Sequence, residues 1–150
     1  MVRGRDARDV PAGQTRDYIF GYTILNDVSA RDVQTAHKQW YFGKSLDGFT
    51  PIGPCIVTAD AFADYPPRLG IRSFVNGEKR QDSNTALQIF DIDHVIAELS
   101  QGMTLKAGTI IATGTPAGVG MGMDPPQFLK PGDVVRCEID GIGTLTNPVE

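Results

Sequence analysis

The sequence predicts an α+β fold that is mainly β, a mixed β-roll or barrel-like sheet with few short helices. The first observation is that its 150 residues include 17 glycines and 10 prolines, which favours short strands joined by tight turns. The second is that only residues 27–40 and 91–100 have patterns that suit a helix. The length fits one domain, which we expect to span residues 1–150.

Local patterns define the elements of the first half of the chain. Pro11 and Gly13 interrupt the N-terminal segment, whereas the run that follows is aromatic and β-branched, as strands are. We therefore expect a loop over residues 1–16, a strand over 18–25, a helix from Asp27 or Ser29 to about Trp40, a loop over 41–49 and a buried strand over 52–58.

The second half contains the clearest local signal. Asn76-Gly77 lies between two extended runs, which strongly predicts a hairpin. Apolar residues from Ile92 to Leu99 recur at helical spacing before Gly102. We expect a hairpin over 71–81, a helix over 91–100, strands over 109–113, 134–139 and 142–146, and a glycine-rich loop over 114–122.

Composition narrows the classes of partner. The net charge is −4, and aspartates interrupt the Arg3, Arg5 and Arg8 cluster, which indicates a solvated loop and no nucleic-acid surface. No apolar run approaches the ~20 residues that cross a bilayer, and no signal peptide is found. We therefore expect a cytoplasmic protein without a membrane partner. Cys55 and Cys137 have apolar neighbours and are expected to be buried thiols.

Polar residues concentrate first where the predicted strand gives way to a helix. Asp27 lies at that junction, and Arg31 and Gln34 follow on one helical face. A carboxylate, a guanidinium and an amide can hold an oxyanionic substrate beside a metal. A helix cap with an ion pair explains the same residues, and the residue types leave both interpretations open.

Lys44 lies between Gly43 and Ser45 in a loop flanked by aromatic residues. The run resembles a phosphate loop only superficially, since it has neither the upstream glycine nor a following helix. This lysine either reaches into a pocket or stays solvated.

The glycine-rich loop contains Gly114 and Thr115. Glycine lets a backbone approach a ligand closely, and the threonine hydroxyl can donate a hydrogen bond. A tight structural turn is the alternative. His37 and His94 show no metal-ligand spacing; His37 is placed near this group of polar residues and His94 at the surface.

Together these segments resemble the fumarylacetoacetate hydrolase family, in the family's order, from about Arg5 onward. The resemblance is to bacterial members that act in aromatic-compound breakdown, on compounds like 2-hydroxyhepta-2,4-diene-1,7-dioate. The matching stretches are Gly21-Tyr-Thr-Ile-Leu-Asn-Asp-Val-Ser-Ala-Arg-Asp-Val-Gln34, Gly43-Lys-Ser-Leu-Asp-Gly-Phe49, Ile52-Gly-Pro54, Val75-Asn-Gly-Glu78, Ile111-Ala-Thr-Gly-Thr-Pro-Ala-Gly-Val-Gly120, Pro131-Gly-Asp133 and Gly141-Ile-Gly143.

The resemblance implies an enzyme, usually a homodimer, with Mg²⁺ (or Mn²⁺) as cofactor. Such enzymes hydrolyse, isomerise or decarboxylate a small 2-oxo acid or 1,3-dicarbonyl through a metal-stabilised enolate. The implied roles are Asp27 as metal ligand, Lys44 and Arg31 as catalytic residues, and Gln34, Gly114 and Thr115 as substrate-binding residues.

One family feature is absent from the sequence. The family's metal site uses a Glu-x-Glu pair on a strand that would precede residue 1, together with a catalytic His and Glu further upstream, whereas the first glutamate here is Glu78. We therefore expect a catalytic domain that is incomplete at its N-terminus, inactive and nearly metal-free by itself. The alternatives are a non-catalytic remnant that keeps the fold and dimer surface, and a metal-independent anion-binding module that uses Arg31, Lys44 and Thr115.

Overall fold

Seven strands and two α-helices form the regular structure of residues 1–36 and 38–150, which are the residues that the computed structural model describes. No helix in these ranges is long and apolar enough to cross a bilayer. The elements are β1 (Val2–Arg3), β2 (Ile19–Leu25), α1 (Arg31–Ala36), β3 (Ile52–Thr58), β4 (Gly70–Val75), β5 (Glu78–Asn84), α2 (Ile92–Gly102), β6 (Val134–Ile139) and β7 (Gly143–Pro148), with short 3-10 helices at Arg16–Tyr18, Phe42–Lys44, Ala59–Ala61, Thr85–Leu87 and Gly120–Gly122.

The strands form two antiparallel sheets, in the orders β1-β2-β3 and β5-β4-β6-β7. The sheets meet where β3 packs on β7, with Gly53 against Leu145 and Gly143 against Pro54. Neither sheet closes into a barrel within the described ranges. The predicted α+β, mainly β class is confirmed in the form of two open sheets in contact.

The Asn-Gly hairpin between β4 and β5 is also confirmed. Asn76 and Gly77 have φ values of 51° and 83°, which a tight hairpin turn of this type requires. The Asn76 amide then ties the turn to β6. Its Nδ2 donates to Asp133 Oδ1 at 2.8 Å, and its Oδ1 accepts from the Val134 N–H at 2.9 Å.

The N-terminal segment is not the solvated loop that the sequence predicts. β1 pairs with β2, and Val2, Ala7 and Val10 are buried. Arg3 is 1% exposed, and its guanidinium lies 5.2 Å from the centroid of the Tyr18 ring. None of its guanidinium nitrogens has an acceptor among the described residues, and burial lowers the pKa of Arg3. The prediction for Arg3 was wrong because pairing of β1 draws this side chain inward, whereas the other two arginines of the cluster are exposed.

Three element boundaries differ from the prediction. The strand expected over 109–113 is a single bridge between Ile110 and Val2, because its partner β1 is only two residues long. α1 ends at Ala36, and Trp40 lies in a turn; the predicted helix also covered His37, which lies outside the described residues. The last strand begins and ends later than expected, as the bounds of β7 show.

β3 is a strand, as predicted, but it is not buried. Ile52 is 43% exposed and Ile56 is 45% exposed, because β3 is the edge strand of its sheet and no layer of the described chain covers its outer face. The expectation of a buried Cys55 fails for the same reason. Cys137 is partly buried, which raises the pKa of its thiol, and both cysteines are free.

The core is one cluster of buried side chains to which α2 and both sheets contribute. Ile96 of α2 is fully buried, Ile24 of β2 is 2% exposed, and both belong to one cluster of buried side chains. Asp91 caps α2, since its carboxylate accepts from the His94 N–H at 2.8 Å. His94 itself is exposed, as predicted, and α2 presents one apolar face to this core.

A buried polar network fastens the N-terminal loop to α2. The hydroxyls of Thr15 and Tyr65 are 2.6 Å apart, and the Tyr65 hydroxyl donates to Asp93 Oδ1 at 2.7 Å. Thr15 also donates to Asp93. Burial raises the pKa of Tyr65, so this phenol stays protonated and keeps its donor. Three separate segments are therefore joined at one carboxylate.

Truncating Ile96 to alanine tests the packing of α2. We expect Ile96→Ala to lower the free energy of unfolding by about 2–5 kcal/mol, because it opens a cavity where the side chain is fully buried. Ile89→Ala is the matched control, since Ile89 is 93% exposed, and it should change stability by less than about 0.5 kcal/mol. Urea unfolding followed by circular dichroism measures both, and equal losses would contradict this placement of α2.

Candidate functional site

The end of β2, just before Asp27, is held in place by hydrogen bonds. β2 ends at Leu25, and the Asn26 N–H donates to Pro51 O at 3.0 Å, which holds the chain beside the start of β3. The Ser29 hydroxyl donates to Asp27 O at 3.1 Å and shapes the turn into α1. Asp27 therefore projects from a short, constrained connection.

The loop over residues 41–45 packs on α1 with almost no space between the backbones. The Ala30 N–H donates to Gly43 O at 2.8 Å. A Cβ added at Gly43 would lie 2.9 Å from both Ala30 O and Gln34 Cβ, closer than side chains approach. Glycine is therefore required at this position for the loop to reach α1. The same contact sets where the next residue, Lys44, points.

Lys44 is held beside Asp27. Its ammonium donates to the Asp27 carboxylate and to Ser29 Oγ, the latter at 3.1 Å. The side chains are partly exposed, at 27% for Lys44 and 42% for Asp27. An ammonium has three N–H donors, and within the described residues these are its two acceptors. One N–H is therefore left for a ligand.

Arg31 and Gln34 form the second pair. Arg31 Nη1 donates to Gln34 Oε1 at 2.8 Å, one turn along α1. Gln34 is 4% exposed, so its amide is fixed by packing as well as by this bond. The alternative of an ion pair between Asp27 and Arg31 is not what the structure shows, because Asp27 pairs with Lys44. The predicted face of α1 is therefore present, with a different partner for the carboxylate.

Gly114 and Thr115 are exposed and lie in the loop that precedes the 3-10 helix at Gly120–Gly122. Thr115 Oγ1 accepts a 2.8 Å hydrogen bond from Gln81 Nε2 on β5. No hydrogen bond or ion pair described for residues 1–36 and 38–150 joins this loop to Lys44. The structure thus brings the predicted residues together in two groups, one around α1 and one beside β5.

The described residues differ from the ligand set that a metal ion needs. Within the described ranges, no three His, Cys, Asp or Glu side chains lie close enough to hold a metal ion. Asp27 offers one carboxylate, which suits Mg²⁺ or Mn²⁺ as a single oxygen ligand. The described residues therefore supply one ligand of such a site and not the complete ligand set.

Two contributors were missed from the sequence. Ser29 was considered only as a helix cap, although it accepts from Lys44, and Gln81 was considered only as the end of a hairpin. Neither partner follows from local sequence, because each contact spans more than a dozen residues.

Comparison with known proteins identifies the family. The profile of the Fumarylacetoacetate (FAA) hydrolase C-terminal family matches residues 1–150. The oxaloacetate tautomerase YisK of Bacillus subtilis is 48% identical over 149 residues, which cover 99% of this chain and 49% of YisK. The chain thus spans about half the length of the curated relatives it matches.

Solved structures give the same result. The fumarylacetoacetate hydrolase EaFAH of Exiguobacterium antarcticum superposes with a TM-score of 0.95 at 50% identity, over 99% of this chain and 53% of EaFAH. The 2-hydroxyhepta-2,4-diene-1,7-dioate isomerase of Mycobacterium marinum superposes with a TM-score of 0.87 at 48% identity, over 98% of this chain and 54% of the isomerase. This chain belongs to the Fumarylacetoacetate (FAA) hydrolase C-terminal family.

Proposed function

We propose that this chain is the catalytic domain of an enzyme that isomerises a small 2-oxo acid by moving a proton between carbon and oxygen. The observation that carries the proposal is the placement of Lys44, held by Asp27 and Ser29 with one N–H to spare. The relatives named as a tautomerase and an isomerase support this class of reaction, and EaFAH, which is named a hydrolase, makes hydrolysis the second candidate.

The reaction requires the protein to stabilise negative charge on the carbonyl oxygen of the substrate. A base takes the proton from the carbon next to the 2-oxo group, the C–H electron pair forms a C=C bond, and the carbonyl oxygen takes the negative charge until it is protonated. The site residues named here are not assigned as that base. The Lys44 ammonium is suited to that oxygen because it is a fixed positive charge with an unengaged donor. The salt bridge to Asp27 restrains the direction of the ammonium.

The other site residues are suited to an anionic substrate. Arg31 keeps further N–H donors after its bond to Gln34, and the Gln34 amide NH₂ has no acceptor within the described ranges. Gly114 and Thr115 offer a backbone N–H and a hydroxyl in an open loop. A substrate carboxylate, which only accepts hydrogen bonds, fits donors of this kind.

The cofactor that we propose is Mg²⁺ (or Mn²⁺), with Asp27 as one of its ligands. Such an ion, when bound, would neutralise charge on adjacent carboxylate and carbonyl oxygens of the substrate. Its other ligands must come from groups that do not cluster with Asp27 in the described residues. A homodimer also stays a prediction, and the outward apolar side chains of β2 and β3, such as Phe20 and Ile56, are consistent with a covered face.

The first test separates a catalytic domain from a non-catalytic remnant. Residues 1–150 replace the matching half of YisK, and ketonisation of enol-oxaloacetate is followed by absorbance. We expect the chimera to be active and Lys44→Met to lower its kcat by about 10²-fold or more, since the charge on oxygen then loses a fixed donor. Lys130→Met, at an exposed position outside the site, is the control. An inactive but folded chimera would favour the remnant.

The second test concerns the metal ligand. In the same chimera, Asp27→Asn should weaken Mg²⁺ binding by about tenfold or more, because a neutral amide replaces a charged oxygen ligand of a hard cation. Asp32→Asn is the matched control, since Asp32 is exposed on α1 and bonds to no site residue through its carboxylate. Isothermal calorimetry measures both affinities. If Asp27→Asn binds Mg²⁺ like its parent, Asp27 is not a ligand.

The third test uses the 150-residue chain alone. We expect it to bind Mg²⁺ only weakly and to ketonise enol-oxaloacetate no faster than buffer containing Mg²⁺. The reason is that one carboxylate does not displace enough water from the ion for tight binding. Elemental analysis of the purified chain and the absorbance assay measure this. Stoichiometric metal with Mg²⁺-dependent turnover would show that the ligands have been misplaced.

A further inference from the structure

The side chain of Gln81 joins two strands and the Thr115 loop. Gln81 lies on β5 directly opposite Ser73 of β4, and Gln81 Oε1 accepts from Ser73 Oγ at 2.8 Å. On its other side, Gln81 Nε2 donates to Thr115 Oγ1 at 2.8 Å and to Pro116 O at 2.9 Å. The amide is therefore engaged at both ends.

These partners fix which end of the amide faces the loop. A backbone carbonyl can only accept a hydrogen bond, so the group facing Pro116 O must be the NH₂ of Gln81. The Ser73 hydroxyl can donate, which suits the oxygen end. A reversed amide would set two oxygens against each other at Pro116 and lose that bond.

The orientation of the amide determines what Thr115 can do. Thr115 Oγ1 accepts a hydrogen bond from Gln81 Nε2, so the hydroxyl proton of Thr115 is not used in this bond. Thr115 is exposed, and that proton is free to reach a ligand. An acceptor atom of a ligand at Thr115 can then take that hydrogen bond.

We propose that Gln81 is a positioning residue that makes the Thr115 hydroxyl a donor toward an acceptor oxygen, such as one of a substrate carboxylate. The inference rests on the proposed function for the role of Thr115, and it adds the polarity of the subsite and the residue that sets it. A group that only donates, such as an ammonium in place of the carboxylate, cannot use this hydroxyl proton.

The loop is held rigidly enough for this bond to matter. At Gly118, where φ is 103°, an added Cβ would lie 2.0 Å from Arg80 O, so the loop backbone lies directly against β5. Arg80 Nη1 lies 3.0 Å from Met123 Sδ and also donates to Gln127. Two neighbouring residues of β5 thus hold the loop at two points, and only the Gln81 contact includes Thr115.

Oxalate binding to the ¹⁵N-labelled 150-residue chain, followed by NMR titration, tests the proposal. Thr115→Val removes the hydroxyl, and Gln81→Met removes the amide at similar length. We expect each to weaken the oxalate Kd by about tenfold, and the double variant to be no weaker than the poorer single variant. Thr115→Ser keeps the donor and should bind like the unmodified chain. Gln127→Met loosens the loop at its other anchor and should also bind normally.

A second variant distinguishes loss of the hydrogen bond from loss of folding. Gln81→Glu places a group that only accepts beside Thr115, so the hydroxyl should turn toward it and oxalate binding should be lost while the circular dichroism spectrum is kept. In the NMR spectrum without oxalate, the chemical shifts of the Gln81 side-chain NH₂ should change in Thr115→Val and should be unchanged in Thr115→Ser.

Three outcomes would overturn the proposal: no saturable oxalate binding to the unmodified chain, additive effects in the double variant, or equal effects of Gln81→Met and Gln127→Met. Turnover does not enter this test. Coupled oxalate binding with an inactive YisK chimera would therefore overturn the proposed isomerase and leave the role of Gln81 supported.

Discussion

Residues 41–45 approach α1 so closely that there is no room for a side chain at position 43, which is glycine. Gly43 lies where a Cβ would meet the carbonyl of Ala30 and the side chain of Gln34, and its own carbonyl accepts from the Ala30 N–H. Lys44 follows directly, so the place of its ammonium beside Asp27 is set by this backbone contact. The lysine stem is flexible, and without a fixed starting point it would sample many positions in solvent.

The two groups of site residues share a polarity, although they lie on different elements. Around α1, the groups of Lys44, Arg31 and Gln34 that are unengaged among the described residues are donors, and beside β5 the Thr115 hydroxyl accepts from Gln81, which leaves its own proton unused in that bond. The carboxylate of Asp27 is the exception, and Lys44 offsets its charge. These donors occur in a chain whose net charge is −4, so the local set of hydrogen-bonding groups does not follow the overall charge.

Local signals predicted the hairpin, the face of α1 and the strand that ends before Asp27, because each follows from a few neighbouring residues. They failed for Arg3 and for β3. Arg3 is drawn inward by a strand pairing with residues far along the chain, and β3 has the composition of a buried strand but lies at a sheet edge. The roles of Ser29 and Gln81 were likewise hidden, since each depends on a side chain brought close by the fold.

β5 is the outer strand of its sheet, and the loop that contains Thr115 lies along it with backbone against backbone. An uncovered edge strand is a template for pairing with another chain. The loop therefore covers part of an edge that would otherwise be open to such pairing, and we expect a loop detached from β5 to make the chain more prone to aggregation.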